Sequence, residues 1–251
     1  MFTHRFLQLA QTLLHIQAIS LDANTSSTHN HPHQQTSTHP TNTTIPHLFR
    51  QLASRHSSSL ALLDPHTTPP SSYTFSQLSQ AISQLSAGLQ SLGLLPSHCV
   101  ALFSENSSRW LITDQAIMTA GAFDAVRGGG ATSPPQELLH ILSSSQSTGL
   151  VVQDEETLKN IINEVQSNTS GEYSQLKFIV VLWTSNSDGR DGCDNGGTTT
   201  RVPIYTFNQV MDLGKESLER GETFSYDSSS PSPPSSPHLA TLVYTSGTSG
   251  T

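Results

Sequence analysis

Leu239-Ala240-Thr241-Leu242-Val243-Tyr244-Thr245-Ser246-Gly247-Thr248-Ser249-Gly250-Thr251 governs how the rest of the chain is read. An apolar run of strand type, Leu239 to Tyr244, feeds directly into hydroxyls and glycines. Gly247 and Gly250 allow positive φ and a close backbone approach to an anion. Successive N–H groups in such a loop form an anion-binding nest. Thr245, Ser246, Thr248, Ser249 and Thr251 add hydroxyl donors. There is no Gly-x-x-x-x-Gly-Lys-Ser/Thr, so this is not a Walker loop. A Ser/Thr/Gly string also fits a flexible linker. What favours the phosphate loop is its company: a clean strand before it and an ordered alternation of strands and helices upstream.

That alternation begins near residue 45. Thr74-Phe75-Ser76-Gln77 is a capping box. It opens a helix whose Leu78, Ile82, Leu85, Leu89 and Leu92 recur at helical spacing. Gly93 follows as a C-terminal stop. Cys99 to Phe103 reads as a short apolar strand. Ser107 or Ser108 caps the next helix, with Trp110, Leu111, Ile117 and Met118 apolar. Ala122 to Val126 reads as a strand, and Pro134-Pro135 starts another helix. Leu138, Leu139, Ile141 and Leu142 give that helix its apolar face. Leu150 to Val152 is a strand, Glu155 to Val165 a helix and Phe178 to Trp183 a strand. Thr206-Phe207-Asn208-Gln209 is a second capping box, ahead of a helix through Val210 and Leu213. Alternating strands and helices predict an α/β fold with a largely parallel sheet. Ligands of such sheets sit beyond the carboxyl ends of the strands, where Thr245 to Thr251 would emerge.

Two stretches interrupt this pattern. Residues 184–202 hold Asp188-Gly189-Arg190-Asp191-Gly192 and Asn195-Gly196-Gly197, a loop or insertion. Residues 225–238 are Ser/Pro-rich and low in complexity. The folded domain is therefore expected over 45–251, with loops at 184–202 and 225–238 and a leader at 1–44.

The leader differs from everything after it. Residues 1–63 contain one acidic residue, Asp22, against Arg5, Arg50 and Arg55. Residues 24–44 are too polar to offset the entropy of ordering. Phe6, Leu9, Leu13, Leu14 and Ile16 suit an amphipathic helix. An acid-poor, Ser/Thr-rich leader suits an organelle transit peptide. A secretory signal, with Gln11, His15 and Gln17 interrupting its apolar run, and an unaddressed tail are the other readings. His29, His31, His33, His39 and His47 form no spacing that fixes a metal geometry.

Composition narrows the function classes. Charged residues are 12% of the chain, about half the roughly 25% usual share. The net charge of −8 and the lack of a basic stripe argue against nucleic-acid binding. No apolar run reaches the roughly 18 residues of a membrane-spanning helix. Cys99 and Cys193 are too far apart for a Cys-x-x-Cys site, so neither a disulfide framework nor a zinc site is expected. No Ser-His-Asp set stands out, and Gly247-Thr248-Ser249-Gly250 lacks nucleophile-elbow spacing. No catalytic residue and no metal ligand is therefore assigned.

Tyr244-Thr245-Ser246-Gly247-Thr248-Ser249-Gly250 resembles the phosphate-binding signature of the adenylate-forming (AMP-binding) enzymes. That signature normally continues into Pro-Lys-Gly. Tyr73-Thr74-Phe75-Ser76-Gln77-Leu78 resembles the family's Thr-Tyr-x-x-Leu opening. Val100-Ala101-Leu102-Phe103-Ser104-Glu105-Asn106-Ser107 resembles its strand ending in an Asn-Ser turn. Met118-Thr119-Ala120-Gly121-Ala122 resembles its Lys-Ala-Gly-Ala segment. Arg109-Trp110-Leu111-Ile112-Thr113-Asp114-Gln115, Ala125-Val126-Arg127-Gly128, Val202-Pro203-Ile204-Tyr205-Thr206-Phe207 and Asp212-Leu213-Gly214-Lys215-Glu216-Ser217 look like the plastid and cyanobacterial long-chain acyl carrier protein ligases. Arg127 is read either as a subfamily marker or as an ordinary salt-bridge residue.

The resemblance implies the amino-terminal part of a two-step ligase using ATP and magnesium. A fatty carboxylate would form acyl-AMP, then a thiol of acyl carrier protein or CoA would displace AMP. Thr245, Ser246, Gly247, Thr248, Ser249, Gly250 and Thr251 would bind ATP phosphates. The family's adenine pocket, magnesium-binding acid and catalytic lysine lie after this loop and match no position here. The 251 residues alone are therefore expected to be inactive and to expose apolar sheet surface. A plastid address is expected from the leader, a cytoplasmic or membrane-peripheral one otherwise. Alternatives are a ligase for another carboxylate, or a non-catalytic paralogue acting as a binding module.

Overall fold

The structure is a computed structural model; it describes residues 44–65, 67, 70–184, 201–222 and 239–245. The expected leader at 1–44, apart from Thr44, the loop at 225–238 and most of the loop at 184–202 lie outside the described residues. So do Ser246 to Thr251.

The chain folds as helix α1 (Ile45–Arg55), an antiparallel hairpin of β1 (Leu60–Asp64) and β2 (Ser71–Thr74), then alternating elements. These are α2 (Phe75–Ser91), β3 (Cys99–Phe103), α3 (Ser108–Thr119), β4 (Phe123–Arg127), a short 3-10 turn, α4 (Pro135–Ser144), β5 (Gly149–Asp154), α5 (Glu155–Ser167), β6 (Phe178–Trp183), β7 (Ile204–Thr206), α6 (Phe207–Glu219) and β8 (Thr241–Val243). Six strands form one sheet in the order β7-β6-β5-β3-β4-β8. All five of its pairings are parallel. The expected parallel α/β sheet is present.

Both faces of the sheet are covered, which is why its central strands are apolar without alternation. Val100 and Leu102 of β3 face a core made with α2, α3 and α6. Cys99, Ala101 and Phe103 of the same strand face a second core made with α4 and α5. All five residues of β3 are buried. Cys99 behaves as the expected small buried hydrophobe, and its burial pushes the thiol pKa up.

Local signals set the element ends. Thr74 and Thr206 each complete a capping box: the hydroxyl accepts from the N3 backbone N–H while a glutamine reaches back. Ser107, not Ser108, caps α3. α2 ends in a Schellman motif, with Gly93 at φ 93°. The N–H of Leu94 bonds the carbonyl of Leu89, and the N–H of Gly93 bonds that of Gln90. Expected boundaries shift by a few residues: β4 runs Phe123–Arg127 and β5 Gly149–Asp154. Leu139 is half-buried at the margin of the second core.

α2 and α6 lie against each other with backbone close to backbone. A Cβ on Gly214 would collide with the carbonyl of Gln84, and one on Gly88 with the carbonyl of Val210. Glycine costs about 1 kcal/mol in a helix interior; here close approach requires it. The Ser91 and Ser217 hydroxyls lie 3.0 Å apart at the same crossing.

The end of the expected 184–202 loop is tied down. Gln166 of α5 accepts from the N–H groups of Arg201 and Val202, and Val202 is buried in the second core. No helix among the described residues is long and apolar enough to cross a membrane.

Candidate functional site

β8 pairs with β4 in the register Asp124↔Thr241, Ala125↔Leu242 and Val126↔Val243. The N–H of Tyr244 donates to the carbonyl of Val126, which carries the ladder one residue further. The Tyr244 hydroxyl lies 3.3 Å from Ser144 Oγ at the end of α4. Thr245 follows, exposed, beyond the carboxyl end of the sheet. The phosphate-binding reading requires this exit point. Thr245 is the one member of the expected set among the described residues; Ser246, Gly247, Thr248, Ser249, Gly250 and Thr251 lie outside them.

Arg127 ends the neighbouring strand β4. Its Nε lies 2.8 Å from Glu137 Oε1 and its Nη2 3.2 Å from Glu137 Oε2, a two-pronged ion pair. Its Nη1 donates to the carbonyl of Gly128. The salt-bridge reading of Arg127 is therefore realised in the fold. The pair fastens the end of β4 to the first turn of α4, where a carboxylate also suits the helix dipole. Next to it, Gly129 takes φ 99°. Ser133 Oγ donates to the Gly128 carbonyl and closes the turn. Gln153 accepts from the N–H of Glu105, linking the loop that follows β3 to the end of β5.

Arg109 is the second conspicuous cation. Its guanidinium carbon stacks 4.2 Å from the Trp183 ring centroid and 4.8 Å from that of Phe207. It donates to the carbonyl of Leu182. Such stacking favours Arg over Lys. The contact joins the first turn of α3 to the end of β6 and the start of α6. Arg109 thus has a structural task far along the sheet from β8.

Sequence reasoning did not single out a third group. Asp114 of α3 and Asp124 of β4 are 2% and 0% exposed and face each other. Gln115 Nε2 donates to Asp114 Oδ2 at 2.9 Å. Burial, then the Asp114 charge, holds the Asp124 carboxyl well above the ordinary value. Burial raises Asp114 to about 6. A carboxylate inside the apolar run Ala122 to Val126 was the visible signal.

The described part of the site suits an anion in one respect: Thr245 offers an exposed hydroxyl. Magnesium finds no ligand set among the described residues, where no group of three His, Cys, Asp or Glu side chains converges.

Comparison with known proteins agrees with this geometry. The chain is 33% identical over 210 residues to a chloroplastic long-chain-fatty-acid–acyl-carrier-protein ligase of Arabidopsis thaliana, covering 82% of this chain and 27% of that protein. It is 32% identical to probable acyl-activating enzyme 16, chloroplastic, of the same plant, again over 82% of this chain and 27% of the relative. The chain thus spans little more than a quarter of the length of these relatives. Among solved structures, a long-chain-fatty-acid–CoA ligase from Archaeoglobus fulgidus superposes with a TM-score of 0.57 at 20% identity, over 80% of this chain and 34% of that one. This last likeness concerns the fold. The AMP-binding enzyme pattern matches residues 49–251. With its parallel sheet and the hydroxyl-rich exit from β8, the chain belongs to the AMP-binding enzyme family.

Proposed function

We propose that this chain is part of an ATP-dependent ligase that activates a long-chain fatty carboxylate as acyl-AMP and transfers it to a thiol. The observation that carries the reading is the β4–β8 pairing, which leads Thr245 out of the carboxyl end of a parallel sheet. Thr245, Ser246, Thr248, Ser249 and Thr251 would donate hydroxyls to the ATP phosphates, and Gly247 and Gly250 would let backbone N–H groups join them. The charge of pyrophosphate grows as it leaves, so fixed donors aimed at it lower the barrier. They position and stabilise; none transfers a proton. ATP and magnesium are the implied cofactors, magnesium to neutralise the triphosphate.

The favoured acceptor is the thiol of acyl carrier protein, with CoA second. The name of the first Arabidopsis relative supports this order. Both Arabidopsis relatives are chloroplastic, which together with the acid-poor leader supports a plastid address. Residues 1–44 fused to a fluorescent protein are expected to direct it to plastids; a diffuse cytosolic signal would remove the address.

Residues 1–251 by themselves are proposed to be inactive, because the relatives are almost four times longer than the matched region. The acceptor is tested on protein made from the complete open reading frame containing this segment. Labelled long-chain fatty acid and ATP are offered with holo acyl carrier protein or with CoA. Labelled acyl carrier protein thioester is expected. Thioester with CoA alone would reassign the acceptor, and thioester with neither would defeat the ligase reading.

A further inference from the structure

The contact between α3 and the β4–β8 edge contains an arrangement that two carboxylates cannot satisfy. Asp124 is fully buried, and neither of its carboxyl oxygens has a hydrogen-bond donor in good geometry. The Thr241 hydroxyl, paired across the ladder from Asp124, is likewise buried; it acts on the Asp124 carboxyl without closing a well-formed hydrogen bond. Asp114 is buried opposite, where Gln115 donates to its Oδ2. Two ionised carboxylates are acceptors only, and like charges at close quarters repel. Among the described residues no lysine, arginine or histidine acts on either group: the influences there are burial, each other, Gln115, Thr241 and the Asp124 backbone. On the opposite side, the Cys99 thiol of β3 senses the Asp124 charge.

We propose that Asp114 and Asp124 share one proton, and that this proton fastens α3 and edge strand β8 to β4. A proton on Asp124 makes one of its oxygens a donor to Asp114. The other oxygen then serves as acceptor for the Thr241 hydroxyl. One proton thus satisfies three side chains from three elements. Losing it leaves two buried negative charges, with only the Gln115 and Thr241 donors against them. The weakest of the three elements gives way first. That element is β8, a three-residue strand paired, among the described residues, on one side only. High pH would therefore loosen the strand that leads to Thr245, whatever ligand the loop takes.

Burial raises both carboxyls, so the folded chain holds more protons than the unfolded one between the ordinary carboxylate value and the folded values. Stability from the pair is then complete at acid pH. It declines as pH rises above the ordinary carboxylate value and through the folded values.

The test is infrared spectroscopy of the chain carrying carbon-13 aspartate, with amide hydrogen exchange at Tyr244. At neutral pH one isotope-shifted carbonyl band of a protonated carboxylic acid is expected. It should vanish in Asp124→Asn. Protection of the Tyr244 amide, corrected for intrinsic rate, should fall by about tenfold or more on going to alkaline pH. That fall should be absent in Asp124→Asn, whose amide donates without a proton to lose. Asp114→Asn serves as the second variant should the first fail to fold, with the same loss of pH dependence expected. Absence of a protonated carboxyl at neutral pH would overturn the proposal. So would an equal pH response of Tyr244 protection in wild type and in a folded Asn variant.

Discussion

The centre of the sheet and its β4–β8 edge are held by different physics. β3, β5 and β6 form an apolar slab: Val100, Leu102, Val151, Phe178, Val181 and Leu182 are buried with no polar side-chain atom to satisfy. At the edge, the same kind of strand carries Asp124 and Thr241, and the covering helix supplies Asp114. Beyond them Val243 is 58% exposed and Leu239 49% exposed. The centre draws on burial, which is non-directional and indifferent to pH. The edge draws on a polar contact that works in one protonation state. The element nearest the expected phosphate loop is therefore also the one most open to adjustment, as functional segments tend to be.

The largest predicted effect strikes the centre. Phe178→Ala removes a fully buried ring that packs against Gly149. It should cost about 3–5 kcal/mol, read as a lower denaturation midpoint that is the same at pH 5 and pH 8. A pH-dependent loss would blur the distinction between the two regions. Gly214→Ala comes next, because a Cβ there meets the Gln84 backbone, which cannot yield cheaply. Overpacking of this kind typically costs about 1–3 kcal/mol. An unchanged midpoint would show that the α2–α6 crossing has slack.

Asp124→Asn sharpens the comparison at the edge. It should stabilise the chain at pH 8 relative to wild type by about 1–3 kcal/mol, the scale for a buried polar group left unsatisfied. The gain should shrink at pH 4, where both carboxyls of the wild type hold their protons. A uniform loss at both pH values would mean the pair is inert. Smallest are the caps: Thr206→Ala should cost about 1 kcal/mol, independent of pH. A change well below that would indicate that packing of α6 on α2 holds its amino end unaided.

What the sequence made legible follows the range of each interaction. Thr74 with Gln77 and Thr206 with Gln209 meet within one helical turn, so both helix starts were readable. The runs Cys99–Phe103 and Phe178–Trp183 are wholly apolar and bounded by polar residues, and both strands were placed at their observed ends. The β1–β2 hairpin was not foreseen. Leu60 and Leu63 are exposed, and the register shifts between Leu60 and Leu62, so no clean alternation marks β1. β7 was missed because three residues carry no period. Asp114 and Asp124 are ten residues apart, yet their meeting depends on α3 folding back over β4. Thr241 joins them from more than a hundred residues away, which local pattern cannot reveal. In the candidate site, the exit of Thr245 from the sheet follows from strand order, and the order β4-β8 is a tertiary fact.

The central claim is adenylation of a fatty acid at the loop that begins at Thr245. It is tested most directly by fatty-acid-dependent exchange of labelled pyrophosphate into ATP, using protein from the complete open reading frame. The account predicts exchange with long-chain fatty acids. It also predicts that Thr245→Ala and Ser246→Ala each lower exchange by about 10- to 100-fold, since a hydrogen bond to a charged group is worth about 1.5–3 kcal/mol. Exchange that is absent with every fatty acid, or unchanged in both variants, would contradict it.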